Sequence, residues 1–144
     1  MFYDVSSFKS PIPNLRDDRT HALVNILPRE SKRLIAKGVL EMPEIKKVLD
    51  RGWFVVSRGI TPSYILEEIT GSKFDNPNCT AGIITDGRMA SVHEEDRLGP
   101  WVFRDGKLDE TPAPEALRLF EARDVSIKGA NAVDPDGNIG VFAA

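Results

Sequence analysis

Apolar positions change period several times along the chain, and each change marks an expected element. The first 28 residues carry Pro11, Pro13 and Pro28 among scattered polar positions, with one short apolar piece at residues 22–27. That pattern predicts an irregular arm. From Arg29 onward, Leu34, Ile35, Val39 and Leu40 recur among Lys32, Arg33 and Lys37, the spacing of an amphipathic helix with Ser31 as its cap. Pro43 suits the first position of a second helix, with Glu44 at its positive end, Ile45, Val48 and Leu49 on its buried face, and Gly52 at a left-handed C-cap. Residues 53–57 are aromatic and β-branched without alternation, as in a strand covered on both faces, and read as a central parallel strand.

After a short loop, Thr61 as cap and Pro62 at the first helical position predict a helix to about Thr70, closed by Gly71. Residues 81–85 and 101–104 read as further strands, with residues 107–108 as a partner for the latter. A helix over 114–121 turns Leu117 and Phe120 inward, and residues 125–128 form another buried strand. Asp86-Gly87, Asp105-Gly106 and Asp136-Gly137 each lie between β-prone segments, where Asp-Gly favours a two-residue type I′ turn. Strands alternating with helices predict an α/β chain: a three-layer Rossmann-like domain with a mostly parallel sheet, helices on both faces and hairpin insertions. The expected organisation is an N-terminal arm over residues 1–28 and a single α/β domain over 29–144.

Composition narrows the class. With 144 residues, 41% hydrophobic and 28% charged, the chain is neither collagen-like, disordered nor a disulfide scaffold. A net charge of −3 gives no broad basic footprint, so neither nucleic acid nor an anionic membrane is an expected partner. The single Cys79 precludes an internal disulfide, and His21 and His93 complete no zinc-spaced cluster, so no metal and no cofactor is expected. No apolar run spans a bilayer and residues 1–10 lack the pattern of a secretory signal, which makes the cytoplasm the expected compartment.

Chemistry concentrates in two loops. In an open sheet, ligands sit beyond the carboxyl ends of the strands. The loop at residues 57–63 joins such an end to a helix start, where backbone amides and the helix dipole favour an anion. Arg58 adds positive charge, Gly59 permits close backbone approach, and Thr61 and Ser63 offer hydroxyls, while Pro62 removes one amide. The loop is neither a dinucleotide fingerprint nor a Walker A sequence. The second loop follows the strand at 125–128 and contains Gly129, Ala130, Asn131, Val133, Asp134 and Pro135.

Gly129, Ala130, Val133, Asp134 and Pro135 together resemble the Asp-Gly-Ala-Asp-Glu-Val-Asp-Pro block of type A ribose-5-phosphate isomerases, in the superfamily that also holds glucosamine-6-phosphate deaminases and coenzyme A transferases. Residues 58–64 followed by Glu67-Glu68 look like a divergent form of the phosphate loop and acidic helix of those families. The resemblance covers residues 44–138 and implies a Rossmann-like fold and a phosphorylated ligand. The departures weigh against isomerase chemistry: Lys128 and Asn131 stand where the motif has acidic residues and Ala132 replaces its Glu, and neither Lys nor Asn serves as a carboxylate base. The resembled enzymes also continue with further catalytic loops, which implies a domain shortened at its C-terminus.

The sequence therefore leads to two expectations. In the first, Arg58, Gly59, Thr61, Ser63, Lys128, Asn131 and Asp134 bind a small phosphorylated metabolite of the sugar phosphate, nucleotide or coenzyme A type. Lys128 is the one candidate for covalent amine chemistry, and whether any reaction is catalysed stays open. In the second, a non-catalytic interaction or structural domain has kept the isomerase-like fold and assembles with a partner subunit or a further copy of itself, through an apolar C-terminal strand that includes Val141 and Phe142. The run from His93 to Arg97 reads as a solvated loop, Asp86-Gly87-Arg88 as a turn that lies within reach of the cleft, Cys79 as a buried or loop thiol, and Trp53 and Trp101 as core.

Overall fold

Two prolines start the first two helices. Pro28 opens α1 (Pro28–Glu41) and Pro43 opens α2 (Pro43–Asp50), each at a position whose N–H has no helical acceptor. These elements belong to a computed structural model that describes residues 24–74, 76–85 and 87–141. Most of the expected arm, Asp86 and the C-terminal Phe142 lie outside the described residues. The chain divides into two compact units, Leu27–Gly129 and the pairing of Met1–Ile26 with Ala130–Ala144.

The larger unit is built around a four-stranded sheet in the order β5-β4-β1-β6, from β1 (Trp53–Val56), β4 (Trp101–Arg104), β5 (Lys107–Asp109) and β6 (Val125–Ile127). β1 pairs antiparallel with β4 and parallel with β6, and β4 pairs antiparallel with β5. This corrects the expected mostly parallel, three-layer Rossmann-like sheet, because among the described residues only the β1–β6 ladder is parallel. The apolar run of β1 reported cover on both faces correctly, but cover does not fix the direction of the neighbouring strands. The segment expected as a second core strand forms β2 (Gly82–Thr85), which pairs only with β3 (Arg88–Ser91) in a separate two-stranded sheet.

The two faces of β1 have different partners. Phe54 and Val56 pack with Phe103 beneath Ala36 of α1, Ile45 and Val48 of α2, and Ile65 and Leu66 of α3 (Ile60–Thr70). Val55 and Val102 face Ala113 and Ala116 of the short α4 (Ala113–Arg118). In α4 the alanines are inward while Leu117 is exposed and Phe120 half-buried, which corrects the expected inward Leu117. Likewise α1 buries Ala36 and half-buries Val39 and Leu40, leaving Leu34 and Ile35 exposed: small Ala36 sets the close approach of the helix.

Caps differ from expectation in three places. Leu27, not Ser31, precedes α1, and the Glu30 carboxylate accepts the Leu27 N–H at 2.8 Å. Gly59, not Thr61, caps α3, which places Pro62 two residues deeper than expected. Gly52 is not the left-handed cap of α2; Arg51 ends that helix and Gly52 has φ +147°. A Cβ at Gly52 would stand 2.6 Å from Asp124 Oδ1, so this glycine serves close approach of the chain to Asp124. Gly71 does close α3 in the left-handed conformation, with φ +69°.

The Asp105-Gly106 turn behaves as predicted. Both residues have positive φ, +50° and +74°, and Arg104 pairs with Lys107 across it, the geometry of a two-residue primed turn. In the smaller unit, β7 (Ala132–Val133) and β8 (Ile139–Gly140) form a hairpin whose Val133↔Ile139 register leaves residues 134–138 as the loop. The expected two-residue turn at Asp136-Gly137 is thus corrected. Asp134 organises the longer loop by accepting the N–H groups of Asp136 and Asn138 at 3.0 and 2.8 Å and the Asn138 Nδ2 at 2.7 Å. Among the described residues no helix is long and apolar enough to cross a membrane.

Candidate functional site

Parallel pairing of β1 and β6 brings their carboxyl ends to one edge of the sheet. The Ser57 N–H donates to the Ile127 carbonyl at 3.0 Å, so the loops that follow the two strands start side by side. They stay close: a Cβ at Gly129 would lie 3.6 Å from Pro62 Cδ. Trp101 reaches the same edge from β4, opposite Val56, and packs edge-on to Phe74 with ring centroids 6.2 Å apart.

A third loop joins them. The Gly59 N–H donates to the Cys79 carbonyl at 2.6 Å, which fastens the 3-10 turn Asn76–Cys79 to the start of α3. Cys79 is fully buried there, in line with its reading as a buried or loop thiol. Gly59 holds φ +152°, and a Cβ on it would sit 3.0 Å from Pro62 Cδ. The loop thus needs glycine for its own closure, and one amide expected for an anion is already engaged.

The remaining candidates divide clearly. Ser63 is fully buried and its hydroxyl donates to the Ile60 carbonyl at 2.7 Å, so it braces the first turn of α3. Thr61 is half-buried, and by helix geometry its N–H and that of Ile60 have no acceptor within α3. Lys128 is exposed, so the burial that would activate its amine is not provided. Arg58 is half-buried, yet its Nε is buried without a hydrogen-bond partner. Asn131 and Asp134 belong to the other unit. Asn131 donates its N–H to the Gly140 carbonyl in the hairpin. Asp134, exposed, is held below the ordinary carboxylate range by the Asn138 side chain and the loop amides it accepts.

The acidic pair on α3 has a structural task. Arg33 of α1 reaches Glu67 with one guanidinium nitrogen and Glu68 with another, the latter at 2.9 Å, while its guanidinium carbon lies 4.5 Å from the Tyr64 ring centroid. Glu67 also accepts the Phe74 N–H at 3.1 Å. Burial pushes Glu67 up, but the Phe74 amide, Arg33 and the nearby Lys73 together hold it below its ordinary value. This pair locks α1 to α3 and lies away from the loop that the resemblance singled out.

Elsewhere, residues 93–96 are exposed and form a 3-10 turn over Glu94–Asp96, and Arg88 is exposed on β3 outside the main sheet. No group of three or more His, Cys, Asp or Glu among the described residues could hold a metal ion. Clefts open on the larger unit in at least two places among the described residues. One, of about 540 Å³, lies between α1 and α3; another, of about 290 Å³, lies at the opposite sheet edge around Gly52, Arg104 and Asp124. In the second, Asp124 accepts the Trp53 N–H at 2.8 Å and the Glu121 N–H at 2.7 Å, so its carboxylate ties the edge together. No family model, curated protein or solved structure matches the chain.

Proposed function

We propose that the shared carboxyl edge of β1 and β6 binds a small phosphorylated metabolite of the sugar phosphate, nucleotide or coenzyme A type. The observation that carries this reading is the buried, unpartnered Nε of Arg58 in the loop leading into α3. A buried N–H of a charged group left without an acceptor costs about 1–3 kcal/mol or more, a cost that a bound oxyanion would offset. The helix start adds the Ile60 and Thr61 amides, and Lys128 supplies a second positive charge from the loop after β6. The reading is binding rather than catalysis, since neither the buried Ser63 nor the exposed Lys128 is prepared as a nucleophile or base.

Thermal unfolding with orthophosphate, ribose 5-phosphate, a nucleoside monophosphate and coenzyme A tests it. At a ligand concentration of about 100 Kd the protein should gain about 2.7 kcal/mol. Arg58→Met should abolish that gain while leaving the ligand-free protein as stable or more so, because an orphaned polar group is removed. A panel without any shift, or a shift undiminished in Arg58→Met and Lys128→Ala, would exclude the reading.

One observation favours a second reading, self-assembly of the smaller unit. Val133, Ile139 and Val141 are 66%, 67% and 42% exposed on a hairpin with two residues in each strand, and isolated hairpins are marginal in water. Light scattering across a concentration series checks this: dimers abolished by Val133→Lys support it, and a strict monomer at high concentration removes it.

A further inference from the structure

The cleft between α1 and α3 is distinct from the sheet edge proposed above and has its own electrostatics. Arg29, Arg33 and Lys37 recur at four-residue spacing on α1, so they share one face of the helix, and Lys73 joins them from beyond α3. Like charges four apart on a helix repel and destabilise it. In a chain of net charge −3, this stripe runs against the overall sign.

The carboxylates nearby do not neutralise all of it. Glu30, the acidic residue of the cleft lining, accepts the Leu27 N–H at the start of α1 and keeps its single negative charge against the four cations Arg29, Arg33, Lys37 and Lys73. Glu67 and Glu68 are both committed to Arg33, which fixes that guanidinium against Tyr64 as a rigid wall. Arg29 and Lys37 make no ion pair with any other described residue and, like Lys73, are exposed. Beside these charges stand the half-buried Tyr64 and Leu34, the latter 63% exposed although it lies on a core helix.

We infer that this cleft binds a small polyanion carrying an apolar ring. Its charged end meets Arg29, Lys37 and Lys73, and its ring lies on the exposed Leu34, beside Tyr64, one face of which Arg33 already covers. The site is an open groove of about 540 Å³, which holds such a ligand against the helix surface without enclosing it. Arg33 acts as a positioning residue, since both its terminal nitrogens already donate to the carboxylates of α3.

Calorimetric titration of the full chain with ADP, inorganic pyrophosphate and adenosine separates the two halves of the ligand. ADP should bind tightest, pyrophosphate more weakly and adenosine weakest, with ADP affinity falling as salt is raised. Arg29→Glu with Lys37→Glu should weaken ADP at least about tenfold through reversal of two charges, and Leu34→Ser should weaken ADP but leave pyrophosphate unchanged. Both sites of charge reversal are exposed, and an unaltered circular dichroism spectrum and unfolding midpoint would establish that the fold is kept. The inference is overturned if none of the probes binds at millimolar concentration, or if pyrophosphate or adenosine matches ADP. It is also overturned if Arg29→Glu with Lys37→Glu leaves ADP binding intact; loss on Arg58→Met with Lys128→Ala instead would assign that binding to the β1–β6 edge.

Discussion

Glu67 carries a charge in a place where burial opposes it, being 6% exposed, and it remains below the ordinary carboxylate range because Phe74, Arg33 and Lys73 outweigh that burial. A carboxylate whose folded value is depressed contributes stability that is fully present above its unfolded value, about 4.3, and lost as pH falls through the lower folded value. Urea unfolding should therefore show a stability difference between the protein and Glu67→Gln that is constant above about pH 5 and narrows below it. A pH-independent difference would mean that the carboxylate charge contributes nothing. Arg33→Met is the harsher change, because it strands Glu67; a cost of about 1–3 kcal/mol is expected at neutral pH. None of this coupling is legible from the sequence. Arg33 and Glu67 are 34 residues apart, and the pattern showed one as a solvated helix face and the other as half of an acidic pair.

At the scale of elements, the positions of most helices and strands were legible in the sequence, while several caps, one turn and the long-range pairing were not. Pro43 marks a helix start and Asp105-Gly106 a primed turn because each depends on the φ of one or two residues, whereas Pro28, expected in the arm, opens α1. Whether a strand lies parallel or antiparallel to β1 depends on segments about fifty and seventy residues away, and the apolar run of β1 is equally suited to both. The same distinction decides two glycine substitutions. Gly38 lies inside α1 with open space where a Cβ would go, so Gly38→Ala should raise the unfolding free energy by about 0.5–1 kcal/mol. Gly52 combines φ +147° with a Cβ position 2.6 Å from Asp124 Oδ1 and 3.0 Å from Val48 Cγ2, and Gly52→Ala should cost about 1–3 kcal/mol. Opposite signs in denaturant melts are the expected result; equal effects would show that helix propensity and close approach do not govern these sites.

For the whole molecule, the division at Gly129 also divides the candidate ligands of the phosphate site. Arg58, Gly59, Thr61, Ser63 and Lys128 lie in the unit Leu27–Gly129, whereas Asn131 and Asp134 lie with the hairpin. Sequence placed all seven in one site because the second loop looks continuous, and the boundary at Gly129 carries no signal in that run of residues. Both buried clusters draw their residues from Leu27–Gly129, so a chain of residues 27–129 should unfold cooperatively without the hairpin. The phosphate site as proposed draws on Arg58, Lys128 and the start of α3, all of them in that unit. Ligand-induced stabilisation of the 27–129 chain should then equal that of the full chain within about 0.5 kcal/mol. A single sharp transition with that gain retained would confine phosphate recognition to Arg58, Lys128 and the start of α3. A cooperative fold that had lost the gain would instead require Asn131 or Asp134 for binding, and a chain that failed to unfold cooperatively would refute the autonomy of the larger unit.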